Sequence, residues 1–417
     1  MLSFFIKGSV RQFDQFFKNT WLFIRYHLLL KIFKKQQVVE VYLSLSDPAS
    51  YLLLQVLPNF AQHTKVTFQL YLMYENLQVQ HNAKLWRKWA LKDANKFAKL
   101  YGLPEIKNAP NEQSLITGQQ LWQLTDKTLE NALDIFHHTW RNSFTINYAP
   151  STPVITHQMA NQQRQMKKGH YSAGSLFFNG TWYVGLERLH YLEEKLVKLG
   201  LCKSSNNFNQ QTLKFTTINS QKPSAVPLSL YLTLANPYSY IGWQKAKKLS
   251  EHYQLSLSIK LLLPALMQGV HIPLNKQKYM QLDAKREAQS AKIPLNEYFH
   301  LSIQGVINSY ELLPYAEKQG LTIPYIDALF EAIYVQGIDL SIKQNIEQLC
   351  VKLGINYQQA KAYTQVANWQ EDTDKNQQTL HNLGFWGAPC FIYGETACWG
   401  QDRLWQIEQA IIAQAEQ

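Results

Sequence analysis

The chain has four cysteines in 417 residues, Cys202, Cys350, Cys390 and Cys398, and no two of them form a CxxC pair or the paired spacing of a zinc site. Dithiol exchange, which needs a neighbouring thiol to resolve a mixed disulfide, is therefore excluded. The twelve histidines form no HExxH or comparable cluster, so no metal is expected. The sequence lacks both an apolar stretch long enough to span a bilayer and the apolar core of a secretory signal. Reduced thiols and a cytoplasmic setting are the expectation. Basic residues interleaved with aromatics, which would follow a phosphate backbone, are missing too, and nucleic acid is not an expected partner.

Apolar residues, by contrast, are plentiful. At 46% hydrophobic and 13% aromatic the chain can build two or three compact cores. Its formal charge of +11 is unevenly spread: residues 1–37 hold seven Lys or Arg against the single acid Asp14, which leaves +5 for the other 380 residues. Within this basic segment Phe13, Phe16, Phe17, Trp21 and Ile24 follow helical spacing. An amphipathic N-terminal helix is expected, and two readings stand: it packs on the body, or it makes a peripheral contact with an anionic membrane surface.

An internal repeat organises the remainder. Val41–Tyr51 (VYLSLSDPASY) overlays Leu230–Tyr240 (LYLTLANPYSY), with Tyr42 on Tyr231, Pro48 on Pro237 and Ser50 on Ser239. In nearly the same register Asp93 falls on Asp283, Lys96 on Arg286 and Ala98 on Ala288. A third match closes each unit, placing Gly185 on Gly400 and Arg188 on Arg403. The offset grows from 190 to 215 residues, so the second unit carries about 25 extra residues, and Ile326–Leu349 reads as additional helix. Lys203–Pro227 is rich in Asn, Gln, Ser, Thr and Pro and reads as a linker. The expected organisation is a basic segment at 1–37, a first domain at 38–202, a linker at 203–226 and a second domain at 227–417 whose larger helical insertion spans about 264–380.

Each unit has the same grammar: a strand, a Pro-containing turn, a helix, a second strand, a helical stretch, a hairpin and a terminal helix. In the second unit these are Pro227–Ala235, Pro237–Tyr253, Leu255–Leu263, the hairpin about Gly394, and Asp402–Ala415. A βαβ half, a helical insertion and a ββα half describe an α/β thioredoxin-like fold, here twice in tandem.

Three motifs of the second unit resemble those of the DsbA-like branch that holds 2-hydroxychromene-2-carboxylate isomerases and kappa-class glutathione transferases. They are Asn236-Pro237-Tyr238-Ser239-Tyr240 after a strand; Lys276, Tyr279, Asp283, Arg286 and Ala288 along a helix; and Gly384-Phe385-Trp386-Gly387-Ala388-Pro389 followed by Trp399-Gly400-Gln401-Asp402-Arg403-Leu404. Together they span nearly all of 227–417. The first unit is a degenerate relative, with Asp47 at the turn and Gly174 in the place of Pro389.

The resemblance implies a glutathione-dependent isomerase or transferase acting on a small hydrophobic or aromatic substrate. A helix N-terminus favours any anion, including the thiolate of bound glutathione. At the position where the family usually has Ser stands Asn236, which is either a thiolate donor or simply a helix cap. By resemblance Pro389 is a cis proline that leaves Ala388 free to pair with an extended peptide, Asp402 and Gln401 face the γ-glutamyl ammonium, and Lys276 lies near the glycyl carboxylate. Asp283 and Arg286, three apart, read as a structural ion pair. Cys390 reads as inert packing. A first unit that mimics the second subunit of single-domain relatives makes the chain less dependent on homodimerisation. The alternative, motivated by Asn236 and the degenerate first unit, is a non-catalytic binding or scaffold protein.

Overall fold

The computed structural model describes residues 37–74, 83–203, 213–217, 225–295 and 301–416. The expected amphipathic helix lies outside them, as does most of the segment 203–226.

The first half runs β1 (Val38–Leu43), α1 (Pro48–Gln62), β2 (Thr67–Leu72), the helices α2 (Ala83–Leu100), α3 (Glu112–Leu124), α4 (Leu129–Arg141) and α5 (Thr152–Lys167), then β3 (Ser175–Phe178), β4 (Thr181–Val184) and α6 (Leu189–Lys198). The second half runs β5 (Leu228–Leu232), α7 (Pro237–Tyr253) and β6 (Leu257–Leu261), followed by the insertion. This comprises α8 (Leu274–Ser290), α9 (Ile303–Tyr310), α10 (Leu313–Lys318), α11 (Thr322–Glu331), a π-helical turn (Ala332–Gln336), α12 (Lys343–Lys352), α13 (Tyr357–Tyr363) and α14 (Trp369–Asn382). The hairpin β7 (Cys390–Tyr393) and β8 (Thr396–Trp399) and the helix α15 (Leu404–Ala415) complete it.

Two four-stranded sheets result, ordered β2-β1-β3-β4 and β6-β5-β7-β8. In each, the first two strands are parallel and the hairpin joins antiparallel, with Val39 opposite Phe68 and Leu230 opposite Ile259. The central strands VVEVYL and LSLYL are almost wholly buried, as expected where helices cover both faces of parallel strands. Helices α1 and α7 begin alike: Asp47 and Asn236 take extended backbone angles and accept helix-start N–H groups, with Pro at the first helical position. Tyr240, Ile241 and Trp243 of α7 then enter a core shared with β5 and α15.

Side-chain bonds repeat in the sequence register. The Ser44 N–H donates to Ser50 Oγ at 3.1 Å, and the Thr233 N–H to Ser239 Oγ at 3.3 Å. Asn161 Nδ2 donates to the Leu72 carbonyl at 2.9 Å, and Asn376 Nδ2 to the Leu261 carbonyl at 3.0 Å. The last helix starts at Leu404 rather than at Asp402, because Arg403 takes the capping position and its N–H turns back to the Gly400 carbonyl at 3.1 Å.

The halves meet through an exchange of helices. Trp89 of α2 packs on Trp399 at 4.9 Å, within the cluster of Tyr231, Leu262 and Cys390. Tyr279 of α8 packs reciprocally on the cluster of Tyr42, Met73 and Trp182. Polar contacts follow the same two-fold pattern. Arg286 donates to the Trp182 carbonyl at 3.2 Å and Lys96 to the Ala397 carbonyl at 3.3 Å, and these acceptors are matched positions of the repeat.

Candidate active site

Strand β5 delivers the chain to the start of α7, and the Asn236 side chain organises that turn. Its Oδ1 accepts the Tyr238 N–H at 2.9 Å, and its Nδ2 donates to the Ala388 carbonyl at 2.8 Å. The Ala388–Pro389 peptide is cis, as the resemblance implies, and leads directly into β7. Asn236, Ala388 and Pro389 thus share one spot at the helix N-terminus, which also places the backbone before Pro389 outside the strand ladder.

Asp402 and Gln401 enter the site already paired. The Asp402 carboxylate takes Arg188 Nη1 and Arg403 Nη1, each at 2.7 Å. Burial alone would raise its pKa, but Arg403 and Arg188 together hold it below the usual carboxylate range. Gln401 is buried, donates through Nε2 to Glu287 at 2.7 Å and accepts from Lys245. Glu287 also accepts from Tyr191 of the first half, at 2.8 Å.

Asp283 is the hub. The Arg188 guanidinium meets it through Nε at 3.0 Å and Nη2 at 2.9 Å, Arg286 pairs with it from one turn further along α8, and the Tyr238 hydroxyl donates to it at 2.8 Å. The expected Asp283–Arg286 pair is therefore present, within a larger array that reaches from the α7 N-terminus to Asp402. Burial and the Asp283 charge both push the Tyr238 hydroxyl pKa well above that of an ordinary tyrosine.

Lys276 stands apart. Its ammonium lies 5.6 Å from the Tyr171 ring of the first half, it has no ion-pair partner among the described residues, and burial lowers its pKa. Among the described residues no hydrogen bond or ion pair joins it to Asn236 or Ala388.

In the first half the corresponding spot is filled by the protein itself. Asp47, 7% exposed, accepts from the Ser50 hydroxyl at 2.6 Å and the Ser50 N–H at 2.9 Å. Gly174 sits at φ +63°, where a Cβ would fall 2.9 Å from Asp47 Oδ2, so only glycine lets the backbone close over the helix start. The thiols offer no alternative nucleophile: burial pushes Cys390 well above its ordinary pKa and Cys398 up to about 12.

Sequence reasoning gave no site role to Arg188, Glu287, Lys245 or Tyr238, although Arg188 and Tyr238 lie in the repeat and in the first motif. The repeat held a signal for the first of these, because Arg188 overlays Arg403 while Asp283 overlays Asp93.

Residues 228–412 match the family model of the DSBA-like thioredoxin domain. The second half is a DSBA-like thioredoxin domain. Two 2-hydroxychromene-2-carboxylate isomerases are similar to it. The one from Pseudomonas putida is 24% identical over 193 residues, 44% of this chain and 93% of the relative; that from Pseudomonas sp. (strain C18) is 24% identical over 197 residues, 45% and 90%. A solved 2-hydroxychromene-2-carboxylate isomerase covers 45% of this chain and 96% of its own at 22% identity and a TM-score of 0.41. The cytosolic disulfide reductase DsbM from Pseudomonas aeruginosa, solved with GSH, covers 46% and 97% at 15% identity and a TM-score of 0.37. The DSBA-like domain differs from a dithiol enzyme in carrying Asn236 and Ser239 where a CxxC pair would stand at the start of α7.

Proposed function

We propose that the DSBA-like domain is a glutathione-dependent isomerase or transferase for a small hydrophobic or aromatic substrate, and that the chain arose by tandem duplication, with its first half in the position of a second subunit. The observation that carries the catalytic reading is the Asn236–Ala388 contact, which sets a thiol-free helix N-terminus against the backbone preceding Pro389. Glutathione would supply the sulfur nucleophile that the chain's own buried thiols do not. Asn236 and the α7 N-terminus would favour its thiolate form, and the Ala388 backbone would pair with its peptide. The half-buried Lys276, a cation without an anionic partner among the described residues, suits a carboxylate. The duplication is supported by the shared strand order, the repeated side-chain bonds and the reciprocal junction.

The second reading, a non-catalytic binding protein, is favoured by Asp402 and Gln401, whose side chains are already held by Arg188, Arg403, Glu287 and Lys245. Calorimetric titration of glutathione into the protein and into Asn236→Asp separates the two. An aspartate keeps the helix cap, as Asp47 shows, but repels a thiolate. Saturable binding weakened about tenfold or more by Asn236→Asp, roughly the effect of 1.4 kcal/mol, supports the enzyme; no binding to the unsubstituted protein favours the second reading.

A further inference from the structure

The extra residues of the second half do more than enlarge it. Leu234 joins β5 to the Asn236 turn and is wholly buried, so both of its backbone polar groups need partners within the protein. Neither comes from the sheet. The Leu234 N–H donates to the Tyr310 hydroxyl at 3.3 Å, while Tyr310 itself donates to the Leu262 carbonyl at 3.0 Å. The Leu234 carbonyl accepts from the Tyr334 hydroxyl at 2.7 Å. Two phenols from the insertion thus hold one peptide group on each side of the residue that leads into the site.

Tyr334 reaches this position through an irregularity of the helix. It lies in the π-helical turn Ala332–Gln336 at the end of α11, which closes at Gly337 with φ +66° and with the Ile338 N–H on the Ala332 carbonyl at 2.8 Å. The wider turn admits an extra residue and resets the helix face. Its ring then stacks on Tyr240 of α7 at 5.2 Å and 10° between planes, so the same side chain grips the turn and the helix that follows it. This segment falls inside the residues that the first half lacks, and there no phenol meets the backbone of the matching Leu45 among the described residues.

The geometry points to Tyr334, seconded by Tyr310, as a positioning residue that fixes the Asn236 turn for ligand. The inference rests on the reading of that turn as a glutathione site, but its structural part can be tested separately. Hydrogen–deuterium exchange across 235–239, read together with glutathione affinity, is measured for Tyr334→Phe and for Tyr325→Phe. Tyr325 is an equally buried phenol of the insertion, bonded to the Ser309 carbonyl at 2.9 Å and not to the turn. Tyr334→Phe, which keeps the stacking ring, should speed exchange across 235–239 about tenfold, leave the 44–50 segment unchanged and weaken glutathione about fivefold, whereas Tyr325→Phe should do none of these. Equal exchange in the two variants overturns the inference. Faster exchange in Tyr334→Phe with no glutathione binding even by the unsubstituted protein supports the brace and removes the ligand assignment instead.

Discussion

Arg188 and Arg403 exchange partners across the junction of the two halves. Arg188 leaves the first half to bind Asp283 and Asp402, and Arg403 leaves the second to bind Asp93 at 2.9 Å and Glu187 at 2.7 Å. Each arginine and its acids occupy matched positions of the repeat, and both guanidiniums are less than a tenth exposed. Removing one partner from such an array leaves carboxylates buried without a counter-charge. Arg188→Leu and Arg403→Leu should each cost about 3–5 kcal/mol in urea unfolding. Because both arginines touch Asp402, the double variant should depart from the sum of the singles. A loss below about 1 kcal/mol for either would show that the apolar helix exchange alone holds the halves together.

Acid should loosen the same junction. Asp283 and Asp402 bind protons less readily in the folded chain than in the unfolded one, burial being outweighed by Arg188 with Arg286 at the first and by Arg403 with Arg188 at the second. Their contribution is complete above the ordinary carboxylate value of about 3.9 and is lost as pH falls through that range and below it. Stability measured from pH 6 downward should fall more steeply below about pH 4 in the unsubstituted protein than in Asp402→Asn. Parallel slopes would contradict this assignment.

All four thiols should be silent in the folded protein. Cys202, Cys350, Cys390 and Cys398 are buried and unbridged, and burial raises the pKa of each, to about 11 at Cys350. An aromatic disulfide reagent at pH 8 should titrate none of them over minutes and all four in guanidinium. Rapid loss of one thiol under native conditions would indicate an opening near that residue.

Glu408 secures part of the connection between the halves. Its buried carboxylate accepts the Lys214 N–H at 2.7 Å, the Phe215 N–H at 2.6 Å and the Tyr253 hydroxyl at 3.0 Å. In Glu408→Ala the amides of Lys214 and Phe215 should exchange with solvent at least about tenfold faster, since two charge-assisted bonds are lost. Unchanged protection would mean that packing of Phe215 on His252, 5.4 Å away, holds the segment without help.

The succession of strands and helices along each half, the paired helix starts and the span of α7 were legible because they are written locally. Alternating or continuous apolar runs mark the strands, and Asn236-Pro237 marks a helix beginning. The occupation of Asp402 and Gln401 was not legible: their partners Arg188, in the first half, and Glu287, in the insertion of the second, lie 214 and 114 residues away, and no helix or strand spacing links positions so far apart. The beginning of the last helix also escaped, since Asp402 in a first turn and Asp402 just before one give the same sequence pattern. The helical character of the insertion could be read, but the π-turn that aims Tyr334 could not, because it depends on how α11 meets the turn beneath it.

The reciprocal junction has a further consequence. In a two-fold dimer of separate chains, every substitution at the interface appears twice and the contact weakens on dilution. Here the two ends of each contact are separate positions of one polypeptide, so Lys96 can face Gln406 while its counterpart Arg286 lies over the Tyr191 ring. Each side of the interface can change without altering the other, and its strength does not depend on protein concentration.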